Sequence, residues 1–296
     1  MTRMLTEPPE GTREAAAGAL ASTREFAFTE KHFQYLRSLV AQHAGINLTE
    51  AKRELVYGRI TRRIRALGLS GFDAYCEILK HDPDAEIGQF INAITTNLTA
   101  FFRENHHFEY LAGTIVPDLY KRSTVPRIRI WSAGCSTGEE PYSIAMTVLE
   151  AQPAGRTGDV AILATDIDTN VIATGAAGVY DNSRVEGIGP ERLRRWFMSG
   201  TGGNAGRVRV RDDLKRVIQF KQLNLMGAWP MKGPFDVIFC RNVVIYFDKD
   251  TQRRLFNRYA DLLAPHGHLV IGHSESLYNV SERFELTGRT IYRKLQ

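Results

Sequence analysis

The chain has 296 residues, 43% of them hydrophobic and 24% charged, with a formal net charge of +5 at pH 7. Those proportions suit a globular protein, and the length favours two domains over one. No run approaches the roughly 20 apolar residues of a membrane span, and the opening "MTRMLTEPPEGTREAAAGALASTRE" lacks the apolar core of a secretory signal. Direct membrane insertion is therefore not expected, and the expected compartment is cytoplasmic. The mild basic excess suits a partner with an acidic surface but is weak evidence for nucleic acid. Cys76, Cys135 and Cys240 are far apart and odd in number. They give neither a disulfide framework nor metal-ligand spacing and read as small buried residues, so no metal site is expected.

Residues 1–25 show no clear apolar period and are expected to form a disordered arm. Residues 26–95 read as an all-α helical domain. "TEKHFQYLRSLVAQHAG" offers Thr29 as N-cap and Gly45 as C-cap, with Phe33, Leu36, Val40 and Ala44 at helical steps. A second helix runs from near Thr49 to Gly68, a third follows Ser70, and a fourth starts with Pro83 in its first turn. Residues 96–126 form a linker and connecting helix. From Arg127 to the end, apolar strands alternate with helices, which predicts a parallel α/β sheet. The strand candidates are "RIRIWSA", "VAILATDI", "VIQFKQL", "FDVIFCRNVVIY" and "GHLVIGHS". Residues 180–215 interrupt this pattern with a glycine-rich turn between strand-like residues and read as a small hairpin insert.

In an open parallel sheet the ligand sits beyond the carboxyl ends of the strands. After the first strand comes "AGCSTGEE", whose Gly134 and Gly138 suit a phosphate loop while Glu139 and Glu140 repel a pyrophosphate. Either those carboxylates attract a cationic ligand, or they merely complement the helix dipole. Asp166 ends the second strand, where an acid commonly holds ribose hydroxyls, and Asp168 is placed to cap the next helix. Asn224 and Leu225 suit an adenine edge and face. Arg241 and Asn242 interrupt an apolar run and need polar partners. Tyr246 reaches the same pocket if the chain there turns helical. Adenine, ribose and a cationic tail together describe S-adenosylmethionine.

The segments "TTNLTAFFRE", "SAGCSTGEEPYSIA", "ATDIDT", "GPFDVIFCRNVVIYFD" and "GHSES", with "GRITRRIRALGL" upstream, resemble the bacterial chemotaxis receptor glutamate methyltransferases of the CheR type. The resemblance covers Phe26 to the C-terminus. It implies a Rossmann-like S-adenosylmethionine-dependent methyltransferase domain with a small antiparallel β insert, preceded by the helical domain. It implies transfer of a methyl group to glutamates of methyl-accepting chemoreceptors, giving γ-glutamyl methyl esters and S-adenosylhomocysteine. Carried over by motif, the cofactor residues are Asn97, Thr99, Arg103, Glu140, Asp166, Asn224, Leu225, Arg241 and Asn242.

A glutamate acceptor, with a pKa of about 4.3, is already ionised at neutral pH, so in-line displacement needs positioning rather than a general base. His273 in "GHSES" then reads as a structural polar residue, while Arg103 and Tyr246 are expected to orient the acceptor. On the second helix Val56, Ile60, Ile64 and Leu67 define an apolar face. Arg62 and Arg65 fall opposite it and Arg59 flanks it, giving a basic docking surface for the cytoplasmic helical domain of a receptor. The insert, around 194–211, could take a receptor C-terminal peptide by edge pairing. The rival readings are a methyltransferase with another substrate, a non-catalytic S-adenosylmethionine-binding regulator and a dinucleotide oxidoreductase. Arg241-Asn242-Val243-Val244 lacks the Asn/Asp-Pro-Pro-aromatic pattern of base amino-methylation, and the acidic loop disfavours a dinucleotide.

Overall fold

The computed structural model describes residues 24–123 and 125–295. The expected arm at 1–25 therefore lies almost wholly outside the described residues. Two compact units are present. One holds the described residues up to Ala41 together with Leu48–Ile94; the other holds Gln42–Asn47 and the chain from Thr95 onward.

The first unit is helical. Helix α1 spans Glu30–Ala44, α2 Arg53–Ala66, α3 Phe72–His81 and α4 Pro83–Ile94. Thr29 caps α1 reciprocally: its Oγ1 accepts from His32 N (3.3 Å) while its own N–H donates to His32 Nδ1 (3.2 Å). Gly45 closes the helix at φ +69°, a conformation that favours glycine. The core is built from Phe33, Leu36, Val40, Ile60, Tyr75 and Phe90, all fully buried. Leu67, expected on the apolar face of α2, is instead exposed, because the helix ends at Ala66 and the chain turns away. Arg63 makes a bidentate pair with buried Glu86 (2.7 and 2.8 Å), which also accepts from Tyr75 Oη (3.0 Å). This satisfies a charge that burial would otherwise make costly.

The second unit contains a seven-stranded sheet in the order β6-β2-β1-β7-β8-β10-β9. The ranges are β1 Arg127–Ala133, β2 Asp159–Asp166, β6 Ile218–Gln222, β7 Phe235–Cys240, β8 Leu263–Ile271, β9 Phe284–Gly288 and β10 Ile291–Lys294. The pairs β6/β2, β2/β1, β1/β7 and β7/β8 are parallel. The sheet is not parallel throughout, as the sequence suggested: β10 runs antiparallel to both β8 and β9. Alternation along the strands sorts the core onto two faces. Ile130, Val237 and Phe239 join one apolar cluster, and Trp131, Ile238 and Cys240 the other.

Helix α7, Glu139–Glu150, follows β1; α8, Thr169–Ala177, follows β2; and α10, Lys249–Leu262, precedes β8. The connecting segment before β1 carries α5, His106–Tyr110, a π-helical turn at Leu111–Ile115 and α6, Val116–Arg122. The insert is a three-stranded antiparallel sheet, order β3-β5-β4, from Val179–Asp181, Arg207–Val210 and Phe197–Ser199, with α9 at Pro190–Trp196. It is larger than the hairpin read from sequence. Among the described residues no helix is long and apolar enough to cross a membrane.

Candidate active site

Strand order reverses at β1, whose neighbours are β2 on one side and β7 on the other. The carboxyl ends of these three strands therefore open a crevice at a topological switch point. Gly134 and Cys135 N–H groups both donate to the Thr165 carbonyl (2.8 and 2.9 Å), which folds the first loop against β2. A Cβ at Gly134, at φ +92°, would lie 2.4 Å from Val243 Cγ2, and one at Gly138, at φ +96°, 2.9 Å from the Gly175 Cα. Both glycines are thus required for shape as well as for φ.

Asp166 sits under this loop, 9% exposed. Its two oxygens accept from Ser136 N (2.9 Å) and Asp168 N (3.1 Å). Burial pushes its carboxyl up, against the pull of those backbone donors. Each oxygen keeps a further acceptor position, which suits a vicinal diol. Asp168 performs the capping role read from sequence, accepting from Asn170 N (2.9 Å). Its other oxygen gathers Asn97 Nδ2 (2.7 Å) and Thr95 Oγ1 (3.0 Å).

The two loop carboxylates face different partners. Glu140 accepts from Ser132 Oγ (2.7 Å) and pairs with Arg241 Nη1 (2.9 Å). Glu139, fully buried, accepts from Thr137 Oγ1 (2.6 Å) and pairs with Arg184. The loop is therefore not the uncompensated negative patch that the sequence suggested; each acid is balanced by an arginine from elsewhere in the chain.

The linker is irregular from Thr95 to Ala100. Its polar groups are held by the site. The Asn97 carbonyl accepts from Ser136 Oγ (3.0 Å), Phe102 N donates to Ser143 Oγ (3.0 Å), and the Arg103 carbonyl accepts from Arg241. The Arg103 guanidinium donates back to the Leu98 carbonyl (2.9 Å). Thr99 enters through its carbonyl, which accepts from Arg184 (3.2 Å).

At the end of β7, Asn242 adopts φ +58° and its N–H donates to Glu275 (2.9 Å). Val244–Tyr246 forms a 3-10 turn, so the chain does coil where Tyr246 required it. Asn224 is engaged in its own turn: its Oδ1 accepts from Met226 N (2.9 Å) and its Nδ2 donates to the His43 carbonyl (2.5 Å). One amide hydrogen and one lone pair remain for a base edge. Leu225 is buried beside it. The structure thus brings the linker, loop and β7 residues of the expected site into one hydrogen-bonded assembly.

Three charged residues of this assembly were not singled out in the sequence. Glu275 accepts from the N–H groups of Asn242, Gly272 (2.6 Å) and Ile245 (3.3 Å), joining the ends of β7 and β8. Glu104 accepts from His273 N (3.1 Å) and lies 2.8 Å from its Nδ1 and 3.4 Å from Arg241. Burial pushes the Glu104 carboxyl up, but His273 and Arg241 outweigh it and hold it below its ordinary value. Arg184 comes from the insert. Glu104 ends the motif "TTNLTAFFRE" and Glu275 is the fourth residue of "GHSES", which could have marked them; Arg184 had no local signal. His273 meets Glu104 through both its backbone N–H and its ring. Burial raises the thiols of Cys135 and Cys240, as their reading as inert buried residues requires. Among the described residues no cluster could hold a metal.

Residues 97–293 match the family model described as "CheR methyltransferase, SAM binding domain", and residues 31–95 match "CheR methyltransferase, all-alpha domain". The chain belongs to the CheR methyltransferase family. It is 45% identical over 282 residues to the chemotaxis protein methyltransferase of Klebsiella aerogenes, covering 95% of each chain. It is 47% identical over 258 residues to a probable chemotaxis protein methyltransferase of Rhizobium etli, covering 86% of this chain and 96% of that one. It is 45% identical over 275 residues to the chemotaxis protein methyltransferase of Salmonella typhimurium, covering 92% and 93%. The CheR fold expected from the motifs, and S-adenosylmethionine as its methyl donor, are thereby supported. The donor set of this structure fits that ligand. Arg241 Nε is buried without a hydrogen-bond partner, which leaves a cationic donor for an amino-acid carboxylate. Asp166 retains acceptor capacity for hydroxyls.

Proposed function

We propose that the chain transfers the methyl group of S-adenosylmethionine to glutamate side chains in the cytoplasmic helical domain of methyl-accepting chemoreceptors. The products are γ-glutamyl methyl esters and S-adenosylhomocysteine, and the reaction serves chemosensory adaptation. The observation that carries this reading is the junction of Arg241, Glu140 and the Arg103 carbonyl. It gathers the linker, the glycine loop and the end of β7 around one crevice, in a chain whose near full-length relatives are named chemotaxis methyltransferases.

S-adenosylmethionine supplies a methyl group on a sulfonium centre, poised for displacement by an oxygen nucleophile. The work left to the protein is binding and alignment. Asp166 is assigned to the ribose hydroxyls and Asn224 with Leu225 to the adenine. Glu140, Arg241, Asn97, Thr99 and Asn242 are assigned to the donor side. Arg103 and Tyr246 are assigned to orient the acceptor carboxylate. That carboxylate is ionised at neutral pH, so no side chain is asked to remove a proton. Alignment of this kind is worth roughly 7–11 kcal/mol at best.

Two surfaces support the partner assignment. On α2, Arg62 and Arg65 are exposed, Arg65 with its guanidinium on the Glu25 carboxylate. Arg59, placed with them from sequence, instead donates to the carbonyls of Ala93 and Ile94 at the end of α4, so its part in docking is secondary. On the insert, a cavity of about 630 Å³ is lined by Asn182, Leu193, Phe197, Met198 and Val208 beside the open edge of β4. It is assigned to a receptor C-terminal peptide. A cytoplasmic enzyme acting on the inner part of a membrane receptor fits this scheme.

The test is incubation with methyl-tritiated S-adenosylmethionine and chemoreceptor-bearing membranes. The expected label is in receptor protein and is released by alkali. Alkali-stable label, or label only in nucleic acid or small molecules, would overturn the proposal. Arg103→Ala and Tyr246→Phe should lower turnover; wild-type turnover with normal donor affinity in both would remove their assigned roles.

A further inference from the structure

Glu139 is fully buried, and its neighbour Glu140 already serves the Arg241 junction. The Glu139 carboxylate accepts from Thr137 Oγ1 (2.6 Å) and from the Nε (3.0 Å) and Nη2 groups of Arg184. The same Nη2 donates to the Thr99 carbonyl (3.2 Å). Arg184 lies in the helical turn Asn182–Val185, directly after β3 of the insert. Two further contacts run along the same line. Tyr180 on β3 donates its hydroxyl to the Thr137 carbonyl (2.7 Å). Phe101 of the linker packs edge-on against Tyr180 and against Phe197 of β4, with ring centroids 5.2 and 5.6 Å away. The insert therefore grips the donor loop on both sides of Gly138, and the linker at Thr99 and Phe101.

We infer that Arg184 and Glu139 are a positioning pair through which the insert holds the donor loop and linker in their binding shape. The insert is then part of the donor site and not only an appended surface. Removing the arginine leaves a carboxylate buried and unpaired, a state that the loop relieves by opening to water. The fork matters as well as the charge, since one guanidinium serves Glu139 and the Thr99 carbonyl together. This inference rests on the donor reading of the site, and its test separates the two.

The experiment compares wild type with R184Q, R184K and the double variant E139Q/R184Q. Each is titrated calorimetrically with S-adenosylhomocysteine and assayed at saturating receptor. R184Q should weaken S-adenosylhomocysteine binding and raise the donor KM by about fivefold or more, with kcat within about twofold. R184K should lose less. The double variant should recover most of the affinity, because it removes the buried charge along with its partner. Arg184 is 40% exposed, so these chains should fold, which thermal unfolding checks. Unchanged affinity in R184Q would overturn the inference. So would a double variant no better than R184Q, or a loss seen in melting temperature but not in donor KM. Failure of the wild type itself to bind S-adenosylhomocysteine would instead overturn the donor reading beneath it.

Discussion

Phe102, Glu104, Ser136 and Asn242 all hold positive φ, between 49° and 58°, though none is glycine. Such a conformation costs on the order of 1–3 kcal/mol per residue and persists only where the surroundings over-determine it. Here they do: Ser143 holds Phe102, His273 holds Glu104, Asp166 holds Ser136 and Glu275 holds Asn242. Asn242→Gly should therefore leave stability unchanged or raise it by up to about 1 kcal/mol, while weakening donor binding. Urea melts and calorimetric titration read the two effects separately, and a variant that binds as wild type would contradict the account. Sequence could not show this strain. Nor could it show that the loop acids are neutralised, since Glu139 and Glu140 find their arginines 45 and 101 residues away. It could show that Asp168 caps a helix, because capping is local chemistry.

Elements were legible where local pattern and tertiary role agree. Strand β1 and its turn into α7 follow from an apolar run ending in small residues, and α7 begins at the first of its two glutamates. Strands β9 and β10 were missed: they are short, half-exposed, and acquire order by pairing at the antiparallel edge of the sheet. On α2 the helical projection placed Arg62 and Arg65 outward and Arg59 on the flank, but projection cannot see that Arg59 reaches the end of α4. The three arginines should then divide. Arg62→Glu with Arg65→Glu should raise the KM for receptor at low salt, an effect that fades as salt is added, with stability little changed. Arg59→Glu should instead lower stability by roughly 1.5–3 kcal/mol by removing charged hydrogen bonds. Equal behaviour of the three, or a salt-independent KM, would contradict this division.

At the scale of the whole molecule, a helical part followed by an α/β part was legible from the change of periodicity near Arg127. The mixed sheet and the linker's role were not, because both depend on contacts far apart in sequence. Two imidazoles, His107 buried and His268 half-buried, contribute to the molecule's response to acid. Burial, with the nearby Arg241 charge, takes His107 down to about 3, and burial with Arg293 and Arg122 takes His268 down to about 4. Each is neutral in the folded chain but takes a proton near 6.5 when unfolded. Their contribution is therefore intact above that value and is lost as pH falls toward the folded values, by on the order of a few kcal/mol near pH 4. Thermal unfolding should show a midpoint that falls from neutral pH to about pH 4, with a shallower fall in His268→Gln; a flat profile would contradict it. What is methylated decides the function, and peptide mapping of receptors after incubation with enzyme and S-adenosylmethionine reads it. A methyl increment is expected on glutamate side chains of the receptor's cytoplasmic helices, removed by mild alkali and missing with Asp166→Asn enzyme. A methyl group on any other residue type, or an unmodified receptor with a fully active donor site, would contradict it.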